Sequence, residues 1–216
     1  MKPRSAFSLM ELLVVMAIIG LLATFLAPAV TPILRGSRLT QAGDQALAVL
    51  SLARQTALTT SHAVEVRFYQ YGDPEVPGES AASPTTGKYR AIQAFEYKDD
   101  GTATPVGKMA TLPPSIIMDQ GATLSTIIGS AKSSPAVPTS TTGGALNVSI
   151  PRAGKQYNSV SFRFLADGST NLSTTGTLWF LTLHNLIDGD NMTSPPPNYT
   201  TIKIDPMNGS LKTYRP

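Results

Sequence analysis

Glu11 is the residue whose surroundings most constrain its chemistry. It stands alone as a charge in FSLMELLVVMAIIGLLATFLAPAV, residues 7 to 30. Placing such a group in the centre of a bilayer costs about 2.5–3.5 kcal/mol on insertion scales, and no Lys, Arg or His lies between Glu11 and Arg35 to offset that cost. The chemistry implied is charge pairing with a cation brought from outside the run. Other reactive side chains are sparse. There are two histidines, His62 and His184, no cysteine, no G-x-S-x-G elbow and no H-E-x-x-H, so the usual nucleophile and metal constellations lack motif support. His62, at a predicted helix-to-strand junction, reads as a surface or capping residue, and His184, at a strand end, reads similarly. Asp188-Gly189-Asp190-Asn191 offers oxygen ligands of the kind a hard cation wants but lacks the rest of an EF-hand loop, and reads as a polar turn. No catalytic residue, metal ligand or cofactor is nominated.

A cut after Ala6 would supply the missing cation, since Phe7 would gain a free α-amino group about one helical turn from Glu11 and from its counterpart on a neighbouring chain. FSLMELLVV resembles the N-terminal methylation motif of type IV pilins and type II secretion pseudopilins. The resemblance implies that a prepilin peptidase cuts between Ala6 and Phe7, that Phe7 is then N-methylated, and that Glu11 serves assembly as the family's fifth mature residue. Gly20 and Pro28 also fall on family positions. Ala6 departs from the Gly that the family nearly always has before the cut bond. A secretory signal ending at Ala27-Pro28-Ala29 and a plain uncleaved anchor also fit the basic flank, although a signal core is usually 7 to 15 residues and this one is longer and charged. Lys2 and Arg4, against no further positive charge before Arg35, keep the leader cytoplasmic and export the chain beyond Val30.

The elements that must carry these residues emerge from composition and periodicity. The chain has 216 residues, no Cys and a net charge of +3, which falls to about +1 once Lys2 and Arg4 are removed; nucleic-acid binding would need Lys and Arg gathered into a patch or stripe. About two dozen apolar residues suffice to cross a bilayer. Between Ser37 and Ser61, Leu39, Ala42, Ala46, Val49, Leu50, Ala53 and Ala57 recur at intervals of three and four, which predicts an amphipathic helix with one buried stripe. Its alanines predict close packing on a flat partner such as a sheet. Joined to the membrane half, it makes about 55 residues, or about 80 Å of helix. Pro28 and Pro32 each remove a backbone donor, and Gly36 loosens the chain further, so a kink or melted stretch is expected at residues 28 to 36.

The remainder predicts antiparallel strands. VEVRF (64–68) alternates like a half-buried strand, and residues 89–97, 159–166 and 177–184 read similarly. YTTIKID and SLKTY form a terminal hairpin around Asn208-Gly209, a pair that tolerates the positive φ of a primed turn. Residues 115–119, 122–128 and 146–150 are weaker strand candidates. Residues 72–87 and 129–144, rich in Pro, Gly, Ser and Thr, are expected to be flexible loops. Trp179 and Phe180 point to opposite faces of a strand, one of them into the core. ALAVLSLARQTALTTSHAVEVRFY is similar to the helix-to-strand passage of H-type minor pseudopilins. FRFLADGSTN and IDPMNGSLKTY resemble that group's late strand and closing hairpin. The layout also resembles the pilin-like cassette protein D family.

The expectation is an α+β chain, its long N-terminal helix packed on an antiparallel sheet. Its parts are a leader at 1–6, a transmembrane and assembly helix at 7–34, an amphipathic half at 35–61 and a β-rich pilin-like domain at 62–216. The resemblance implies a non-catalytic filament subunit with prepilin peptidase, other pilin or pseudopilin subunits and inner-membrane lipid as partners, its globular part periplasmic. The alternative is a membrane-anchored binding or adhesion module that does not polymerise and works through its loops. A periplasmic hydrolase would need a polar pocket around His184.

Overall fold

The structure, a computed structural model, describes residues 8–83, 86–100, 102–129 and 148–216, without the side chains of residues 23 and 25–32. Helix α1 (Leu9–Thr60) is followed by strands β1 (Ala63–Tyr71), β2 (Lys88–Tyr97), β3 (Ala103–Thr111) and β4 (Ile116–Met118), the short α2 (Thr126–Gly129), then β5 (Asn158–Phe164), β6 (Trp179–Asn185), β7 (Tyr199–Ile204) and β8 (Leu211–Tyr214). The chain divides into residues 1–37 and residues 38–216.

In residues 1–37, Ser8 caps the helix: its Oγ accepts the Glu11 N–H at 3.2 Å and its carbonyl accepts the N–H groups of Glu11 and Leu12. A Ser followed three residues later by Glu is the sequence of a capping box. The backbone is α-helical without a break through residues 28 to 36. The melted stretch expected there is therefore not a feature of this structure; each proline forfeits one backbone hydrogen bond, and the bonds of the surrounding turns carry the helix across.

In residues 38–216 the helix lies against one antiparallel sheet of order β5-β1-β2-β4-β6-β7-β8, with β3 pairing along the rest of β2. Leu39, Ala42, Ala46, Leu50, Ala53 and Ala57 are buried with Val64, Val66, Phe68, Ile92, Ala94, Phe162, Leu181, Leu183, Ile202 and Ile204 in the main core. Val49, expected in the stripe, is half-buried at its border. The small side chains bring the backbones close. At Gly43 an added Cβ would lie 2.9 Å from Thr200 Cγ2. The outermost elements of the strand order also meet, because Thr170, bridged to the end of β5, donates its N–H to the Pro206 carbonyl in the β7–β8 turn at 2.9 Å. That turn receives the Arg54 Nε of α1 at the Asn208 carbonyl, 3.1 Å away.

The strands at 64–68, 89–97, 159–166 and 177–184 and the terminal hairpin form with small boundary shifts, and Gly209 takes φ +63 in the hairpin turn. Three expectations are corrected. Strand β1 is buried on both faces, not half-buried, because a second core of Tyr69, Tyr71, Ala91, Phe95, Ile150 and Ala153 covers the side away from α1. Residues 122–128 form a turn running into α2. Within residues 148–150, Ile150 makes an isolated bridge to Gly154, while residues 146 and 147 lie outside the described residues. Strand β3 was not expected; Pro105 and Gly107 interrupt its alternation, and Gly107 has φ +70 where the pairing with β2 shifts register. The connection at 72–87 is anchored by Asp73 and Glu79, and the connection at 129–144 lies outside the described residues beyond Gly129.

Candidate functional site

The site expected at the N-terminus is described from Ser8 onward; Ala6 and Phe7 lie outside the described residues. Glu11 occupies the first turn of α1, where the partial positive charge of the helix start favours an anion. Around it the helix is apolar on every side: Leu9, Met10, Leu12, Leu13, Val14, Val15, Met16, Ile18, Ile19, Leu21 and Leu22 are all exposed. A helix apolar all round belongs in a core, a bundle or a membrane. Among the described residues no helix is long and apolar enough to cross a membrane, so a span rests on the sequence of residues 7 to 30. Pro28 and Pro32 are helical in backbone.

Both histidines are engaged by neighbouring groups. His62 follows Ser61, whose φ is +58, at the turn from α1 into β1. Its Nδ1 lies 2.7 Å from Glu96 Oε1 and its Nε2 3.8 Å from Asp99 Oδ2. The hydrogen bond to His62 holds the Glu96 carboxyl below its usual range. His184 is fully buried with Asp119. Its Nε2 meets Asp119 Oδ2 at 3.2 Å and its Nδ1 faces the Asn185 carbonyl at 3.0 Å. Asp119 also accepts the N–H groups of Gly121 and Met192. Burial pushes the imidazole down, but its bonds to Asp119 and Asn185 outweigh that and raise it above its ordinary value. Burial likewise pushes the Asp119 carboxyl up, and the hydrogen bonds from His184, Met192 and Gly121 outweigh it and hold the group low. With each ring nitrogen facing an oxygen of the protein, His184 has neither nitrogen turned to a substrate.

In the acidic turn, Asp190 is also committed. Asp190 Oδ1 accepts the N–H groups of Gln120 and Asn191, and Oδ2 lies 3.2 Å from Lys88 Nζ. No group of three or more His, Cys, Asp or Glu is placed to hold a metal ion among the described residues.

Sequence reasoning missed the charges buried beneath the second core. Glu65, 1% exposed, accepts from Arg67 Nε at 2.5 Å and from Arg163 Nε and Nη2 at 3.1 and 3.0 Å. The Arg163 guanidinium lies 4.5 Å from the centre of the Tyr97 ring. Glu79 grips the buried Arg90, and Arg152, with φ +69, reaches Asp73 and Glu75. The Glu65 and Arg67 alternation that resembles a solvated strand face was the available signal; only the covering segments, far away in sequence, reveal it as buried.

Residues 1–27 match the family model described as "Prokaryotic N-terminal methylation motif". The chain's structure is similar to that of the minor pseudopilin EpsH from the type 2 secretion system of Vibrio cholerae, with 10% sequence identity and a TM-score of 0.43 over 83% of this chain and 98% of that one. No curated protein matches the sequence.

Proposed function

We infer that this chain, a pilin-like subunit by its N-terminal motif, is a minor pilin or pseudopilin of a type IV pilus-like or type II secretion filament. Prepilin peptidase cuts between Ala6 and Phe7, Phe7 is N-methylated, and the N-terminal helix holds the subunit in the inner membrane, its globular part periplasmic, until assembly. The observation that carries this reading is a lone carboxylate, Glu11, in the first turn of a helix whose described surroundings are exposed and apolar. Such a surface is stable in lipid or in a bundle of like helices. In either place Glu11 lacks a cation of its own, and the α-amine of Phe7 on an adjacent subunit supplies one. Mismatched axial positions leave two charges buried and unpaired, so pairing selects the register. Pro28 and Pro32 belong to the same reading, as the place where the helix bends on entering a filament.

The subunit's role is structural. Both described histidines are engaged by neighbouring groups, which supports a chain without acid–base chemistry. Glu11→Ala is expected to leave membrane insertion intact and to lower incorporation into sheared filament fractions at least tenfold. Equal incorporation of variant and parent contradicts the pairing role.

A further inference from the structure

The outer face of β6, β7 and β8 carries side chains that filament assembly leaves without a task. Strand pairing places Phe180, Lys203 and Lys212 in one cross-strand row and Thr182, Thr201 and Tyr214 in the next. Leu181, Leu183, Ile202 and Ile204 alternate with them and belong to the core beneath α1, so both rows lie on the face turned away from the helix. Lys212 and Tyr214 are exposed, and Phe180, Thr201 and Lys203 are half-buried. Two like charges directly opposite each other on neighbouring strands repel. Among the described residues neither Lys203 nor Lys212 has a carboxylate within salt-bridge distance. Lysine on an edge strand discourages unwanted pairing, which accounts for Lys212 on β8 but not for Lys203, which sits inside the sheet on β7.

Two ammonium groups are thus carried on rigid strands about 4.8 Å apart, with an aromatic ring in each row. The charge calls for an anion, and the rings offer flat apolar faces of the kind that cover sugar C–H surfaces. Two cations fall short of the basic stripe that marks a nucleic-acid surface. We propose that the outer face of β6, β7 and β8 binds an acidic polysaccharide, Lys203 and Lys212 taking its carboxylates and Phe180 and Tyr214 its sugar rings. The proposal rests on the filament reading for one point: a subunit whose helix packs inward turns this opposite face to the surroundings.

The test uses the full chain in detergent micelles, applied to immobilised polygalacturonate with neutral dextran as control. Retention on polygalacturonate alone is expected, with affinity lowered about tenfold in K203E/K212E, on the scale of two exposed ion pairs. K203Q/K212Q serves if the reversed charges disturb folding, as judged by thermal melting. K98E/K108E, which alters two exposed lysines elsewhere, is expected to bind like the parent. Absence of retention, an equal loss in K98E/K108E, or tighter binding of a single-stranded oligonucleotide through the same lysines overturns the proposal. Filament incorporation of K203E/K212E is expected to be unchanged. Failure of the filament reading would show separately, as an indifference of assembly to Glu11→Ala while polysaccharide binding persists.

Discussion

Glu79 holds Arg90 through two parallel hydrogen bonds, Oε2 accepting from Nη1 at 2.5 Å and Oε1 from Nη2 at 2.8 Å, with the side chains 6% and 1% exposed. Glu79 Oε2 also accepts the Asp73 N–H at 3.0 Å. A connection rich in Pro, Gly and Ser is thereby fastened to the outer face of β2. Arg152 then joins Asp73 and Glu75 to the segment that carries Ile150 and Ala153. The two coverings of the outer sheet face are linked to each other by charge.

Removing one member of a buried pair leaves the other unsatisfied, which costs about 3–5 kcal/mol. Glu79→Gln should lower the unfolding free energy, read by denaturant titration, by that amount, and the apolar pair E79L/R90M should be milder. A loss below about 1 kcal/mol in Glu79→Gln would show the connection to be unfastened.

Gly43 is required by the approach of α1 to Thr200. Gly43→Ala gains about 1 kcal/mol in helix propensity but drives its Cβ to 2.9 Å from Thr200 Cγ2, an overpacking that costs about 1–3 kcal/mol. Net destabilisation is expected in urea titration. Adding Thr200→Ser, which removes the offending methyl, should restore part of the loss; if it deepens it, the clash is not the cause.

The pair of His184 and Asp119 gives stability a pH window. His184 is raised above its ordinary 6.5, so its contribution is full below that value and fades as pH climbs through the folded-state value. Asp119 is held below its ordinary 3.8, so its contribution is full above that value and disappears as pH falls through the folded-state one. The stability gap between parent and Asp119→Asn should be widest from about pH 4 to about pH 6.5, and should narrow in more alkaline solution. Urea midpoints measured across pH 3 to 9, roughly the span of both titrations, decide it; a gap independent of pH removes the ion pair from the account.

At the N-terminus, the mature protein is expected to begin at Phe7 with one added methyl group, read by intact mass and N-terminal sequencing. Phe7→Leu should assemble better than Glu11→Ala, since the amine survives in the former. A chain that still begins at Met1, or one that begins beyond Ala29, lacks the proposed counter-ion.

The helix and most of the sheet were legible because their signals are local. Leu39, Ala42, Ala46, Leu50, Ala53 and Ala57 repeat with the helical turn, and the Asn208-Gly209 pair marks its own bend. Strand β3 was hidden because Pro105 and Gly107 break the alternation that betrays a strand. The burial of Glu65, Arg67 and Arg90 was hidden for another reason: a charged residue on a strand looks the same whether water or a distant segment covers it. For the candidate site, Glu11 could be found from sequence since its isolation is a property of neighbours in the chain. The closure of His184 by Asp119 could not, as 65 residues separate them.

The junction of Thr170 with Pro206, and of Arg54 with Asn208, ties completion of the domain to its last hairpin. The second half of α1 and β1 are neighbours in the chain, yet β6 and β7, which bring Leu181, Leu183, Ile202 and Ile204 to the core around the helix's alanines, come late in it. Until the final hairpin arrives, that helix face is covered only in part, and contacts of such long sequence separation form slowly. The domain therefore completes its architecture only once its C-terminal hairpin has docked, with that hairpin acting as the latch.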